Sequence, residues 1–144
     1  LEPLLPHYDI VLIDTPPSLG LVTINALVAS DGVLIPMQTE YFALEGLALL
    51  SGTIREVRTL LNEHLGVDGV LLTMHSQTLL NQQVEGELLE TFPDLVVKPA
   101  IRRNVRLAEA PSHGVPIHLH DPTSAGGKDY QAIATVLERR WGLV

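Results

Sequence analysis

Along this chain, short unbroken apolar runs alternate with longer stretches in which apolar side chains recur every three or four residues. The first run, Ile10-Val11-Leu12-Ile13, is apolar at every position, the pattern of a strand buried on both faces in the middle of a parallel sheet. It ends in Asp14-Thr15-Pro16-Pro17. Ser18 suits the N-cap of a helix through Leu21, Ile24, Leu27 and Val28 to about Ser30. Gly32-Val33-Leu34-Ile35-Pro36 predicts a second strand. Residues 43–61 then set Leu44, Leu47, Leu50, Ile54, Val57 and Leu61 on one face of an amphipathic helix. Gly69-Val70-Leu71-Leu72-Thr73 predicts a third strand, and residues 78–91 a helix with Val84, Leu88 and Leu89 inward. Leu95-Val96-Val97 reads as a fourth strand, and Ile117-His118-Leu119-His120 as a short edge strand. Residues 125–141 form the last helix, with Tyr130, Ile133, Ala134 and Leu137 along one side.

Strands alternating with helices imply right-handed crossovers and an α/β layer sandwich around a parallel sheet of about four or five strands. No linker, repeat or low-complexity tract divides the 144 residues, so the expectation is one domain, 1–144. Composition narrows the function classes. Hydrophobic residues at 46% allow a real core. Nine basic against seventeen acidic residues, net −8, exclude a protein that coats nucleic acid with its whole surface but leave room for a local basic patch. The absence of cysteine excludes disulfides, zinc ribbons and thiol catalysis. Asp14, Pro16 and Pro17 interrupt the best apolar run well short of the ~18 residues of a membrane helix. The expected location is the cytoplasm. Residues 1–6 read as the tail of an element already under way, and the chain is expected to begin mid-fold.

The sharpest chemical signal is Asp14. A carboxylate at the carboxyl end of a buried parallel strand lies where open α/β sheets bind ligands. In nucleotide hydrolases such an Asp holds Mg²⁺ beside the phosphates, directly or through water. The bland alternative is an Asp that caps the turn, and the Pro-Pro step with a helix behind it favours the ligand role.

The stretch from Tyr8 and Asp9 through Asp14-Thr15-Pro16-Pro17-Ser18-Leu19-Gly20 resembles the Walker B and switch II segment of ParA-type (Soj-like) partition ATPases, relatives of MinD. The likeness continues through Asn25-Ala26-Leu27, the block from Ile35 to Gly46 and Gly69-Val70-Leu71-Leu72-Thr73-Met74. It returns in the block from Arg103-Asn104-Val105-Arg106 to His113-Gly114 and in Asp121-Pro122-Thr123-Ser124. The resemblance implies a P-loop NTPase-like layer sandwich and an ATP- and Mg²⁺-dependent homodimer. That dimer would bind non-specific DNA, associate with the nucleoid and position chromosomes or plasmids with a ParB-like centromere-binding partner. It also implies roles. Asp14 becomes the Walker B carboxylate associated with Mg²⁺, and Thr15, Pro16 and Pro17 belong to the switch that senses the γ-phosphate. Arg103 and Asn104 lie near the adenine, and Glu40, Tyr41 and Glu45 near the dimer face.

Departures from the family pattern carry equal weight. The Lys-Gly-Gly-x-Gly-Lys-Thr type loop, the Walker A strand-loop-helix and the acidic switch I do not occur in these 144 residues. Without the loop's backbone N–H groups and lysine, triphosphate binding loses its main electrostatic contribution. The expectation is therefore the C-terminal portion of such an ATPase, inactive alone and with no cofactor of its own. The alternative is a stand-alone non-catalytic module that dimerises with or regulates a full-length homologue. Gly126-Gly127-Lys128 imitates the missing loop, but Asp129 follows the lysine where Ser or Thr is needed, so this segment is read as opening the last helix.

At Met74-His75-Ser76-Gln77-Thr78, Gln77 stands where the family has an arginine associated with DNA. The remaining basic cluster is Arg102, Arg103 and Arg106, able to meet phosphates without reading bases. The alternative is a solvated turn paired with Glu109. His113, His118, His120 and Asp121 invite a metal site, with His118 and His120 on one strand face, but surface polarity is the preferred reading. Tyr130 and Trp141 are assigned to packing. A MinD-like membrane anchor is disfavoured, because residues 132–144 carry a short apolar stripe and few basic groups.

Overall fold

The computed structural model describes Pro3 and residues 5–144; of the opening segment, Leu1, Glu2 and Leu4 lie outside the described residues. After a short 3₁₀ turn at Leu5–His7 come α1 (Leu21–Val28), β1 (Gly32–Gln38), α2 (Ala43–Leu60), β2 (Gly66–Thr73), α3 (Leu79–Thr91) and β3 (Val96–Val97). Then follow α4 (Val105–Glu109), a 3₁₀ turn at Ala110–His113, α5 (Ile117–His120) and α6 (Ala125–Arg140). The strands form a parallel sheet in the order β1-β2-β3, with Val70 opposite Val96 and Leu71 opposite Val97. This is the expected α/β class.

The chain divides into two compact units, Leu1–Val33 with Leu44–Asp68, and Leu34–Ala43 with Gly69–Val144. In the first, Leu27 of α1 and Leu47, Ile54 and Val57 of α2 are buried, as is Leu65. The side-chain amide of Asn62, just past α2, donates to the carbonyls of Leu27, Val28 and Ser30 at 3.2, 3.2 and 2.8 Å, closing the end of α1. In the second unit, Leu71 and Val97 of the sheet, Ile101, and Ile133 and Leu137 of α6 form one core, joined by Leu34, Leu107, Val136 and Trp141. Trp141 is thus a packing residue.

Sequence expectations fail at three places, each for a local reason. Ile10–Ile13 is not a buried strand: it has no regular structure, and Leu12 is 78% exposed. A run apolar on both sides becomes a central strand only with ladder partners beside it, and among the described residues none pairs with it, leaving a sheet of three strands. Ile117–His120 is a helical turn instead of an edge strand. The N–H groups of Leu119 and His120 donate to the Pro116 carbonyl and that of Asp121 to Ile117, so local bonds satisfy the backbone without a ladder. Finally, α1 starts at Leu21 with Gly20 as N-cap, while the Ser18 carbonyl accepts the Thr23 hydroxyl at 2.6 Å. Among the described residues, no helix is long and apolar enough to cross a membrane.

Candidate functional site

The residues singled out by sequence fall into two groups, one in each unit. Asp14, Thr15, Pro16, Pro17 and Glu45 belong to the first; Glu40, Tyr41, Arg102, Arg103, Asn104 and Arg106 to the second.

In the first unit, residues 14–17 are all exposed and lie between the unpaired apolar run and the N-terminus of α1. Asp14 therefore offers a solvent-facing carboxylate. Glu45 is exposed in the first turn of α2.

In the second unit, hydrogen bonds stitch together the stretches that follow the strands. Asn81, buried in α3, donates from Nδ2 to the Thr39 carbonyl after β1, and its Oδ1 accepts the Ser76 N–H at 2.9 Å and the Ser76 hydroxyl. His75, just after β2, donates its N–H to the Ile101 carbonyl and accepts from the Arg103 N–H, each at 3.0 Å. Its ring Nε2 lies 2.9 Å from Glu85 of α3. The loops after β1, β2 and β3 thus meet at the carboxyl edge of the sheet, where parallel α/β folds place ligands. Glu40 and Tyr41 follow Thr39 directly; both are exposed, and the Tyr41 ring meets Phe42 edge-on at 5.1 Å. Gln77 is exposed in the same region.

The three arginines are not equivalent. Arg102 forks onto Asp129 of α6, with Nη2 2.7 Å from Oδ1 and Nε 2.9 Å from Oδ2, and Oδ2 also accepts the Arg102 backbone N–H at 3.1 Å. These charge-assisted bonds hold the Asp129 carboxyl below the usual carboxylate range against the opposing effect of burial. Arg106 pairs with Glu109 at 2.8 Å and Asp121 at 3.6 Å. The bond from Arg106 likewise lowers the Glu109 carboxyl. Arg103 is exposed, and among the described residues its side chain has no hydrogen-bond or ion-pair partner. Asn104 caps α4, its Oδ1 accepting the Arg106 N–H at 2.8 Å. Sequence reasoning offered a turn paired with Glu109 as its alternative, which Arg106 supplies, and missed Asp129. The available signal was an acid in the stripe Asp129, Ile133, Leu137, where a buried charge demands a partner.

Two lookalike sites resolve into packing and local polarity. Ser124 caps α6 by accepting the Gly127 N–H at 3.0 Å, and a Cβ at Gly127 would stand 2.6 Å from the Asp121 carbonyl. Gly126-Gly127 is therefore demanded by close approach at a helix start. His120 stacks on His113 at 4.8 Å and lies 3.6 Å from Glu109. His118 and His120, two apart on a helix, do not share the single face a strand would have given them. Among the described residues, no group of three or more His, Asp or Glu is placed to hold a metal ion.

A family model described as an AAA domain matches residues 1–67. The sporulation initiation inhibitor protein Soj of Bacillus subtilis is 55% identical over 135 residues, 93% of this chain and 53% of that protein. The chromosome-partitioning ATPase Soj of Thermus thermophilus is 52% identical over 128 residues, 88% of this chain and 51% of that one. Among solved structures, cobyrinic acid a,c-diamide synthase from Mycobacterium smegmatis with bound ADP and magnesium is 30% identical at TM-score 0.69, over 90% of this chain and 46% of that one. Apo McdA from Cyanothece, 20% identical, shares the fold at TM-score 0.82 over 94% of this chain and 56% of that one. The parallel sheet therefore defines an α/β protein with the fold these solved structures share. Over nearly its whole length the chain is similar to the Soj/ParA chromosome-partitioning ATPases. It spans about half the length of the curated relatives it matches.

Proposed function

We propose that this chain serves an ATP-dependent ParA-type partition protein, working as a homodimer on non-specific DNA with a ParB-like centromere-binding partner. The observation that carries this reading is the 55% identity to Soj over 135 residues, a span that takes in nearly the whole chain. Asp14 would hold Mg²⁺, directly or through water, and Thr15, Pro16 and Pro17 would respond to the terminal phosphate. The metal supplies charge neutralisation for phosphoryl transfer. Arg103 and Asn104 would lie near the base, and Glu40, Tyr41 and Glu45 near the dimer face.

The residues present include an exposed carboxylate, Asp14, suited to Mg²⁺. They do not supply a phosphate cradle, because the one glycine pair before a lysine is packed and its Gly127 amide is already bonded. The 144-residue chain by itself is therefore proposed to be inactive. For DNA, the exposed cluster Arg102, Arg103 and Arg106 would meet phosphates without reading bases.

Turnover measurements test the reading. The complete protein carrying this chain is expected to hydrolyse ATP, Asp14→Ala lowering kcat by about 100-fold or more, while the isolated chain shows nothing above buffer. Turnover by the isolated chain that Asp14→Ala abolishes would overturn the requirement for a phosphate loop.

A further inference from the structure

We infer that Asn81 is a positioning residue for the loop that carries Glu40 and Tyr41: its side-chain amide, set just past the ends of β1 and β2, holds that loop in the conformation that meets a second copy of the chain. The inference rests on the dimer-face reading of Glu40 and Tyr41 and adds to it the residue that sets their loop.

Beyond the strand ends a side chain takes over the bonding between the two segments. At the end of β2 the Thr73 hydroxyl still donates directly to the Met37 carbonyl of β1 at 3.4 Å. Further on, Asn81 Nδ2 donates to the Thr39 carbonyl, while its Oδ1 accepts the Ser76 N–H at 2.9 Å and the Ser76 hydroxyl. One amide group thus gives Thr39 a donor and Ser76 an acceptor, as the peptide groups of a neighbouring strand would. The amide is itself well held. Asn81 is 9% exposed and lies in the first turn of α3, where its N–H donates to the Thr78 hydroxyl at 3.3 Å. Thr39 is 1% exposed, and its hydroxyl has no hydrogen-bond partner among the described residues, so it adds nothing to the anchor. Directly after Thr39 the chain turns, the Ala43 N–H donating to the Glu40 carbonyl at 3.0 Å, and Glu40, Tyr41 and Phe42 are exposed. Three exposed side chains are therefore placed by a buried bond at the residue before them.

Two roles of Asn81 differ in what they move. A bond that only stabilised the fold would, when lost, lower the melting temperature and leave the pairing of folded protomers as it was. A positioning role predicts weaker pairing with unchanged turnover once the protomers are paired. Sedimentation of the complete protein across protein concentration, with a non-hydrolysable ATP analogue and Mg²⁺, reads the pairing. ATP turnover over the same concentrations reads the rest.

Asn81→Asp keeps an acceptor for Ser76 but sets a second oxygen against the Thr39 carbonyl. It is expected to raise the dimer dissociation constant several-fold. Turnover should still reach the parent's kcat at saturating protein, with its midpoint in protein concentration raised by the same factor. Ser76→Ala removes one of the two donors that orient the amide; it is expected to act in the same direction by a smaller factor, and it carries the test if Asn81→Asp does not fold. Tyr41→Ala is expected to weaken pairing as well, and the double variant by less than the product of the two single factors, since residues acting through one loop are not additive. Pairing weakened by Tyr41→Ala but untouched by the Asn81 or substitute Ser76 variant, a lowered kcat with the midpoint unmoved, or factors that multiply in full would overturn the inference and leave the dimer face standing. A Tyr41→Ala variant that pairs like the parent would overturn the dimer-face reading itself, and the inference with it.

Discussion

Asp129 has a thermodynamic signature apart from any ligand. Its carboxyl titrates below the usual range in the folded chain, first because of the Arg102 side-chain bonds. The unfolded state therefore binds more protons in the acid range, and stability rises with pH there. The contribution is complete above the unfolded value of about 3.9 and drains away as pH falls through the lower folded value. Thermal melts taken from about pH 5 to pH 3 should fall more steeply for the parent than for Asp129→Asn. Equal slopes would mean that the pair contributes nothing to acid stability. At this scale the sequence was legible where partners are near in the chain and opaque where they are not. Arg106 and Glu109 sit three residues apart on one helical turn. Arg102 and Asp129 are separated by 27 residues, and only the fold brings them together.

Among the elements, those with strong helical periodicity were readable almost to the residue: α2, α3 and α6 begin at Ala43, Leu79 and Ala125, near the predicted starts. Thr78 and Ser124 act as side-chain caps for the last two, as their chemistry suggests. The apolar runs were harder, because a strand is defined by its neighbours. Val96–Val97 found β2, whereas Ile10–Ile13 found no partner among the described residues. A four-residue segment such as Ile117–His120 is too short for periodicity to decide between helix and strand. The start of α6 supplies a test of packing against mimicry. Gly127→Ala would press a methyl onto the Asp121 and Pro122 carbonyls and is expected to destabilise by about 2 kcal/mol in denaturant titrations. Lys128→Ala should shift stability by less than about 0.5 kcal/mol. A reversed ranking would contradict the packing account of the glycine pair.

For the molecule as a whole, exposed apolar surface is the dominant physical fact. Leu12, Leu21 and Val22 of the first unit are largely solvent-facing at 78%, 81% and 65%. Apolar surface on this scale favours association. The isolated 144-residue chain is expected to sediment as concentration-dependent oligomers, and Leu12→Lys to shift the distribution toward monomer. A parent chain that stays monomeric across a hundredfold concentration range would refute this. The α/β class was visible in the alternation of runs and periodic stretches, and the likeness to Soj/ParA proteins in residue blocks spread from Tyr8 to Ser124. The Arg102–Asp129 clamp was not, since nothing in local spacing encodes a meeting 27 residues apart.

Asn62 shows how narrow the chemistry of a single position can become. Its one amide nitrogen answers three carbonyl oxygens, two in the last turn of an eight-residue helix and one just past it. Aspartate there would set a carboxylate against the partial negative charge of those oxygens, and leucine would leave them without a donor. At that place the chain has room for a donor and for almost nothing else, so few substitutions should be tolerated there.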